Sequence, residues 1–282
     1  MFKWVLLILS ILIIFFRRRN KVIMTCFAGR KFNLEILTKY VDILLNNKDI
    51  DEFHLWNFTR KQEDDQYIKT LSSKYKIITP KNKEKWNEYY EYYRNSHDND
   101  VIIKADDDIL FIDTVMFKEF INIVRNNEYL AVSASIINNG VCAYHQQQND
   151  ILPTTIHEIK YEHTGGDVVY NGELGTKIHE YFTKNKDEFI LKSRKIRPKI
   201  IKHPIGDRIS INFFGITGKN FKNLKFPDNY DDEHEISVEN TKRLNKNFGI
   251  FMNLVVSHGG FSFQRNAGLD ELYICSLYKQ IT

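Results

Sequence analysis

The feature that most restricts the fold of this chain is the alternation of short apolar runs with helical segments in its first half. The strand-like runs are KVIMTCF, FHLWNF, YKIITP and VIIKA. Between them lie segments with helical spacing of apolar or aromatic residues: NLEILTKYVDILLNN, QYIKTLSSKY and KEKWNEYYEYYRN. Strands that are separated by crossover helices pair in parallel, so about four such units predict an open α/β sheet.

The second half continues the pattern less regularly. Asp113 is the expected N-cap of a helix in TVMFKEFINIVRNN, and EYLAVSASII, ISINFFGITG and GIFMNLVVSH are expected strands. Helices are expected around residues 177–186 and in DDEHEISVENTKRLNKN. Residues 138–167 lack periodicity and predict a long loop. Because no repeat or low-complexity linker divides residues 22–282, we expect them to form one catalytic domain.

The amino terminus predicts a membrane anchor. Residues 2–16 form a nearly unbroken apolar run, and three arginines follow at residues 17–19. The run is shorter than the about 20 residues of a typical span, but a cleaved signal peptide would have small residues where the arginines stand. We therefore expect residues 1–21 to form a single anchor with a basic flank. The positive-inside rule then predicts a cytosolic catalytic domain, with a lumenal type II topology as the alternative.

Net charge and cysteine content exclude few classes of binding partner. The 282 residues carry a formal net charge of +4, with acidic and basic residues mixed along the chain. This balance does not indicate a nucleic acid partner, but it suits an anionic small molecule or an anionic membrane surface. Cys26, Cys142 and Cys275 are scattered, so neither a disulfide framework nor a cysteine metal site is expected.

Three consecutive aspartates, Asp106, Asp107 and Asp108, follow the strand-like run VIIKA. Adjacent carboxylates repel each other, so either a positive partner or solvation must offset their charge. In an extended segment Asp106 and Asp108 project to the same side, where their oxygens suit Mg²⁺ or Mn²⁺. Ligands of open α/β sheets also bind beyond the carboxyl ends of strands. A solvated acidic turn is the alternative. Lys104 shares the side of Asp106 and is expected to neutralise either the acids or bound phosphates.

The segment VIIKADDDILFID resembles the Asp-x-Asp segment of nucleotide-sugar-dependent glycosyltransferases with the GT-A fold. The first strand with FAGR, the helix with Trp86, Tyr89 and Tyr90, and the tail VVSHGGFSFQR fit the same family. The whole looks most like the glycosyltransferases of large algal, chlorella-type DNA viruses. The resemblance implies a Rossmann-like α/β fold, with an open, mixed and mostly parallel sheet flanked by helices. It also implies a nucleotide-sugar-binding half, residues 22–137, and an acceptor-binding half, residues 138–282.

The resemblance implies roles for individual residues at the metal. Asp106 and Asp108 would hold Mn²⁺ or Mg²⁺ against the diphosphate of a UDP-sugar, and His258 would complete the metal site. Asp107 would contact the ribose or the sugar.

The resemblance also assigns the nucleotide to two strand ends, at Phe27, Ala28, Gly29, Arg30 and Asn57. Phe27 would stack on the uracil, and Arg30 would bind phosphate. Asn57 would hydrogen-bond the base. A tight turn into the following helix is the alternative explanation for the FAGR residues.

An inverting glycosyltransferase needs a carboxylate that deprotonates the acceptor hydroxyl. YDDEHE, which offers Asp232 at a helix start, resembles the acidic motif that supplies the base in inverting members of the family, and HPIGDR offers Asp207 before a strand. We expect Asp232 to be the base, with Asp207 as the alternative. Acids at a helix start also complement the helix dipole, and a retaining enzyme would need neither residue.

The sequence therefore predicts a membrane-associated, metal-dependent glycosyltransferase that acts on a glycan or glycoprotein acceptor. The resemblance names xylose or galactose as the sugar. Two alternatives stay open: a nucleotidyltransferase that makes a sugar nucleotide, and a non-catalytic carbohydrate-binding protein, which the aromatic content would suit. FAGRK is too short for the Gly-rich basic signature of nucleotidyltransferases.

Overall fold

The computed structural model describes residues 20–83, 87–162, 166–227 and 231–282. The expected anchor, residues 2–16, and Trp86 lie outside these ranges. Within them, no helix combines the length and the apolar character that crossing a bilayer requires.

The described residues form nine strands in one sheet. They are β1 Val22–Ala28, β2 Glu52–Asn57, β3 Lys76–Ile78, β4 Val101–Asp106, β5 Ile109–Ile112, β6 Val132–Ile137, β7 Ile200–His203, β8 Phe213–Thr217 and β9 Phe248–His258. The strand order is β3-β2-β1-β4-β8-β6-β9-β5, and β7 also pairs with β9.

Helices of very different lengths connect and cover these strands. They are α1 Lys31–Asn46, α2 Gln62–Thr70, α3 Asn87–Tyr93, α4 Phe117–Arg125, α5 Gly140–Gln148, α6 Gly166–Tyr170, α7 Gly172–Lys184, α8 Lys186–Lys195, α9 Gly218–Lys222, α10 Asp232–His234, α11 Asn240–Leu244, α12 Ser262–Asn266 and α13 Glu271–Lys279. Single 3₁₀ turns lie at Leu71–Ser73 and Thr114–Met116, and a π-helical turn, Glu235–Glu239, joins α10 to α11.

Most strands of the sheet run in one direction, as the sequence predicted. The pairings orient β1, β2, β3, β4, β6 and β9 one way and β5, β7 and β8 the other. Because both faces of β1 and β4 are buried, they have the near-continuous apolar sequences of central parallel strands. The prediction of a mixed α/β sheet flanked by helices is therefore confirmed.

The strand directions bring several predicted site segments to one edge of the sheet. The carboxyl ends of β1, β2, β4 and β9 lie there, together with the amino end of β8, which runs antiparallel to β4. The register of the strands shows how close these segments are, because Phe27 pairs with Trp56 on one side and with Asp106 on the other. The segments that follow these strands must therefore meet.

The expectation of a long loop across residues 138–167 is wrong over its first part. Residues Gly140–Gln148 form helix α5, which is capped by Asn139 through a 3.1 Å bond from the Cys142 amide to its Oδ1. Two of the glutamines that make this helix look polar in the sequence are buried, and their amide nitrogens donate within the protein. Gln146 Nε2 donates to Ser135 Oγ at 3.0 Å, and Gln147 Nε2 donates to the His157 carbonyl at 2.7 Å.

Candidate active site

The three aspartates form the tight connection between β4 and β5. Asp106 ends β4, and Ile109, the first residue of β5, pairs with His258 at the end of β9. The Gly259 amide donates to the Asp108 carbonyl at 2.7 Å, which holds the two strand ends together. As a result, side-chain ligand atoms of Asp106, Asp108 and His258 all lie within 4.8 Å of one another. These three residues are the predicted metal ligands.

The three side chains fit a divalent cation. Asp108 Oδ1 is buried without a hydrogen-bond partner in the described structure, and His258 Nε2 lies 3.3 Å from it. A buried carboxylate oxygen without a donor is costly, so an electropositive group is expected there. Two carboxylates and an imidazole are suitable ligands for Mn²⁺, and carboxylates also suit Mg²⁺. The Asp106 side chain is 27% exposed and gives the cluster an opening toward solvent.

Arg30 supplies the positive charge that three adjacent carboxylates require. Its Nε and Nη2 atoms donate to the two oxygens of Asp107 at 3.2 and 2.5 Å, and Nη2 lies 3.0 Å from Asp108 Oδ2. The Gly29 amide adds a 3.0 Å bond to Asp107. Asp107 and Arg30 thus bind each other, and the expected contacts of Asp107 with the ribose or the sugar and of Arg30 with phosphate stay predictions.

The charge on the buried acids follows from their partners. Burial alone would raise the pKa of Asp108, but His258, Arg30 and Arg265 outweigh that effect and hold its pKa below the ordinary value. Burial raises the pKa of Asp107 despite the opposing effect of Arg30. Asp108 is therefore the acid of this pair that is more firmly ionised, as a metal ligand must be.

Lys104 is buried under the same edge, beside Asp106. Its Nζ donates to Asp106 Oδ1 at 2.5 Å and to the Ile211 carbonyl at 3.1 Å, and lies 5.3 Å from the Phe27 ring centroid. Burial alone would lower the pKa of Lys104, but the carboxylates of Asp106 and Asp232 outweigh it and raise the pKa. Lys104 therefore stays charged and forms an ion pair with Asp106.

A cavity of about 960 Å³ opens beside Asp106. Its volume lies near the upper end of the range for small-molecule sites. Phe27 and Phe58 form an aromatic part of its wall, with ring centroids 5.1 Å apart. The cations Arg60, Lys83 and Lys104 also line the cavity. This combination of aromatic rings and cations suits an anionic ligand that contains an aromatic base.

The two candidate bases occupy different places. Asp232 lines the cavity together with Asp106, and its Oδ2 accepts a 2.8 Å bond from the Tyr90 hydroxyl. Burial raises the pKa of Asp232, although Lys104 and the Tyr90 hydroxyl oppose the shift. Asp207 is not among the cavity-lining residues and instead accepts a bond from the Tyr161 hydroxyl at 3.3 Å. The structure therefore groups Asp232, and not Asp207, with the predicted ligands.

Asn57 lies at the expected strand end, but its amide is already bonded within the protein. Its Nδ2 donates to Asp65 Oδ1 at 2.7 Å, while its Oδ1 accepts from the Thr59 hydroxyl at 2.6 Å and from Lys83 Nζ at 3.1 Å. The bond to Asp65 uses one of the two Nδ2 protons, so the expected contact with a base stays a prediction. Ala28 is buried, and its carbonyl accepts from the Phe58 amide at 3.0 Å.

Asn212 was not among the residues predicted from the sequence, although it lies in the wall of the cavity beside Asp106. Its Nδ2 donates to Asp106 Oδ2 at 3.0 Å, and its carbonyl accepts from the Asp106 amide at 2.9 Å. Asn212 directly precedes β8, whose antiparallel pairing with β4 brings it opposite the aspartates. The position before a strand was visible in the sequence, but the pairing was not. Phe58, Arg60 and Lys83 were missed for the same reason, because only the assembled cavity brings them together.

No known protein family matches this sequence, and no curated protein matches it. The crystal structure of a mycobacterial protein aligns with a TM-score of 0.50 at 12% identity, over 91% of this chain and 75% of that one. This similarity shows a shared fold only.

Two further solved structures align less well. GalNAc-T7 with UDP, GalNAc and Mn²⁺ has a TM-score of 0.49 at 12% identity, over 88% of this chain, which spans only 45% of the GalNAc-T7 chain. The inositol-1-phosphate CTP transferase from T. maritima has a TM-score of 0.46 at 12% identity, over 94% of this chain and 98% of that one.

Proposed function

We propose that this protein is a metal-dependent glycosyltransferase that transfers a sugar from a UDP-sugar to a glycan or glycoprotein acceptor. The main support for the proposal is that Asp106, Asp108 and His258 bring ligand atoms within 4.8 Å of one another. A cavity of about 960 Å³ opens beside Asp106. In this proposal residues 22–137 bind the donor and residues 138–282 bind the acceptor. Xylose or galactose as the sugar and residues 2–16 as a membrane anchor rest on the sequence alone.

The cavity supplies the contacts that a nucleoside diphosphate needs. Phe27 and Phe58 present aromatic rings on which a uracil can stack. Arg60 and Lys83 present cations to the diphosphate. Asp106, Asp108 and His258 would hold Mn²⁺ or Mg²⁺, which neutralises charge on a leaving diphosphate.

Asp232 is the proposed general base of an inverting transfer. Its carboxylate lies in the wall of the donor cavity, so it can accept the proton of an acceptor hydroxyl that enters there. The Tyr90 hydroxyl fixes the orientation of that carboxylate through a 2.8 Å bond. Asp207 is a weaker candidate because it does not line this cavity.

The proposal is tested by donor hydrolysis. The purified protein is incubated with a panel of UDP-sugars and Mn²⁺, and released UDP is measured. One UDP-sugar should be hydrolysed slowly, and Asp108→Asn should reduce that rate about 100-fold or more because a charged metal ligand is lost. Asp98→Asn is the matched control, since Asp98 is an exposed acid that pairs with Lys222.

Two other results would indicate a different function. Release of pyrophosphate from a nucleoside triphosphate and a sugar phosphate would indicate a nucleotidyltransferase. Binding of a glycan without turnover of any UDP-sugar would indicate a carbohydrate-binding protein. A thermal-shift screen with Mn²⁺ supports the assay, because a donor that binds only the folded state raises the melting temperature.

A further inference from the structure

His258 lacks the side-chain support that a metal-binding histidine usually has. In most metal sites the second ring nitrogen of the histidine hydrogen-bonds to a carboxylate, a carbonyl or water, which fixes the ring. Here the Nδ1 atom of His258 is buried and has no hydrogen-bond partner in the described part of the chain. The Phe261 ring packs against the imidazole at 4.7 Å but offers no such bond. The backbone must therefore fix the position of His258.

The residues on both sides of His258 are bonded to one buried pair, His179 and Tyr278. Nε2 of His179 lies 3.1 Å from the Gly259 carbonyl oxygen, and its Nδ1 lies 2.8 Å from the Tyr278 hydroxyl. The same hydroxyl lies 2.5 Å from Ser257 Oγ. His179 and Tyr278 are both 0% exposed. Ser257 and Gly259, the two sequence neighbours of His258, are thus both held by this pair.

The hydrogen bonds of this group have one consistent direction. The Gly259 carbonyl can only accept, so His179 Nε2 carries the proton. Burial, and then the nearby His258, lower the pKa of His179 to about 3, so its ring is neutral and Nδ1 accepts from Tyr278. The Tyr278 oxygen in turn accepts from Ser257. Each donor therefore has an acceptor, which makes the arrangement rigid.

Gly259 connects this pair directly to the aspartates. Its amide donates to the Asp108 carbonyl at 2.7 Å, while its carbonyl accepts from His179. A Cβ at this position would lie 3.3 Å from Asp108 Cβ and 3.2 Å from Leu110 Cδ1, so a larger residue would crowd both side chains. A shift of the His179 ring would therefore move His258 and Asp108 together.

We propose that His179 and Tyr278 are positioning residues that set the geometry of the metal site through the backbone on either side of His258. This inference rests on the proposed function, since it takes Asp106, Asp108 and His258 as the ligands. It assigns part of the metal affinity to helices α7 and α13, which contribute no ligand. Loss of the bond to Gly259 should weaken Mn²⁺ binding about 10-fold, at the lower end of the effects measured for such supporting residues.

The test measures Mn²⁺ affinity without nucleotide, by electron paramagnetic resonance of the free ion. His179→Asn keeps an acceptor near the position of Nδ1 but cannot reach Gly259, so it should bind Mn²⁺ about 10-fold more weakly. His179→Gln extends an amide donor to the position of Nε2 and should retain most of the affinity. Tyr278→Phe keeps the ring, removes both bonds and should also weaken binding.

Ile178→Val is the matched control, because it removes a buried methyl group from the same helix without touching the hydrogen bonds. A merely structural role for His179 would lower the urea midpoint of His179→Asn and leave its Mn²⁺ affinity unchanged, which would overturn the inference. If His179→Asn does not fold, Tyr278→Phe takes its place. An unchanged Mn²⁺ affinity in that variant would also overturn the inference. Wild-type protein that binds no Mn²⁺ would instead overturn the proposed function, and the inference with it.

Discussion

At the scale of single residues, Arg30 makes the acidic turn possible. Its guanidinium binds both oxygens of Asp107, lies 3.0 Å from Asp108 and also bonds to Glu271 at 2.5 Å. A two-pronged contact of this kind is among the strongest that arginine makes with a carboxylate. One oxygen of Asp108 has no hydrogen-bond partner among the described residues, and the Asp106 carboxylate, which bonds to Lys104 and Asn212, lies close to it. The turn thus combines a neutralised half with a half that can bind a cation.

Tyr90→Phe should change the pH dependence of sugar transfer. The proposed base, Asp232, must be ionised, so kcat/KM should fall as the pH drops through its pKa. The Tyr90 hydroxyl bonds to the ionised carboxylate and lowers its pKa, partly opposing the effect of burial. Without that bond the pKa rises further, and the acid limb of the kcat/KM profile should move to higher pH.

The control for this prediction is Tyr92→Phe on the same helix. The Tyr92 hydroxyl is 2.5 Å from Lys76 Nζ, and its side chain is not among the cavity-lining residues. Its acid limb should match that of the wild type. Identical profiles for Tyr90→Phe and the wild type would remove Asp232 as the base.

Only part of this site was predictable residue by residue. Asp106 and Asp108 stand out because an apolar run precedes them and their spacing puts them on one side of an extended segment. Asn212 binds Asp106 across 106 positions of sequence, and Arg30 binds Asp107 across 77. Contacts this distant depend on which strands pair, and a single sequence does not reveal that.

At the scale of helices and strands, length decided what the sequence could predict. The long strand β9, buried at all 11 positions, was evident from its apolar run. The strands β5 and β7, with four residues each, exist because β9 provides edges for them to pair with. Runs of four residues carry too little periodicity to distinguish a strand from a turn.

Helix α7 depends on its N-cap, and it carries His179 to the metal site. Asn171 Oδ1 accepts a 3.0 Å bond from the Leu174 amide. Asn171→Ala should therefore lower the free energy of unfolding by about 1 kcal/mol, as measured by urea denaturation. Asn171→Ser, which restores a capping oxygen, should recover most of that loss. Equal losses in the two variants would mean that the cap contributes nothing.

At the scale of the whole molecule, burial of neutral histidines links stability to pH. Burial lowers the pKa of His179 to about 3 and that of His145 to about 4. An unfolded histidine titrates near 6.5. As the pH falls below about 6.5, the unfolded chain binds protons that the folded chain cannot, so the folded state loses stability. The loss ends once the pH is below the folded pKa.

His179→Gln isolates this effect, because glutamine keeps the donor to Gly259 but does not titrate. Between pH 6.5 and about 3, the free energy of unfolding of the wild type should fall relative to the variant by about 1.4 kcal/mol per pH unit. Urea denaturation at pH 7, 6, 5 and 4 in the presence of a chelator measures the difference. Ile178→Val should follow the wild-type slope with a constant offset. Parallel curves for His179→Gln and the wild type would mean that the pKa of His179 is the same in the folded and unfolded chains, and would contradict this prediction.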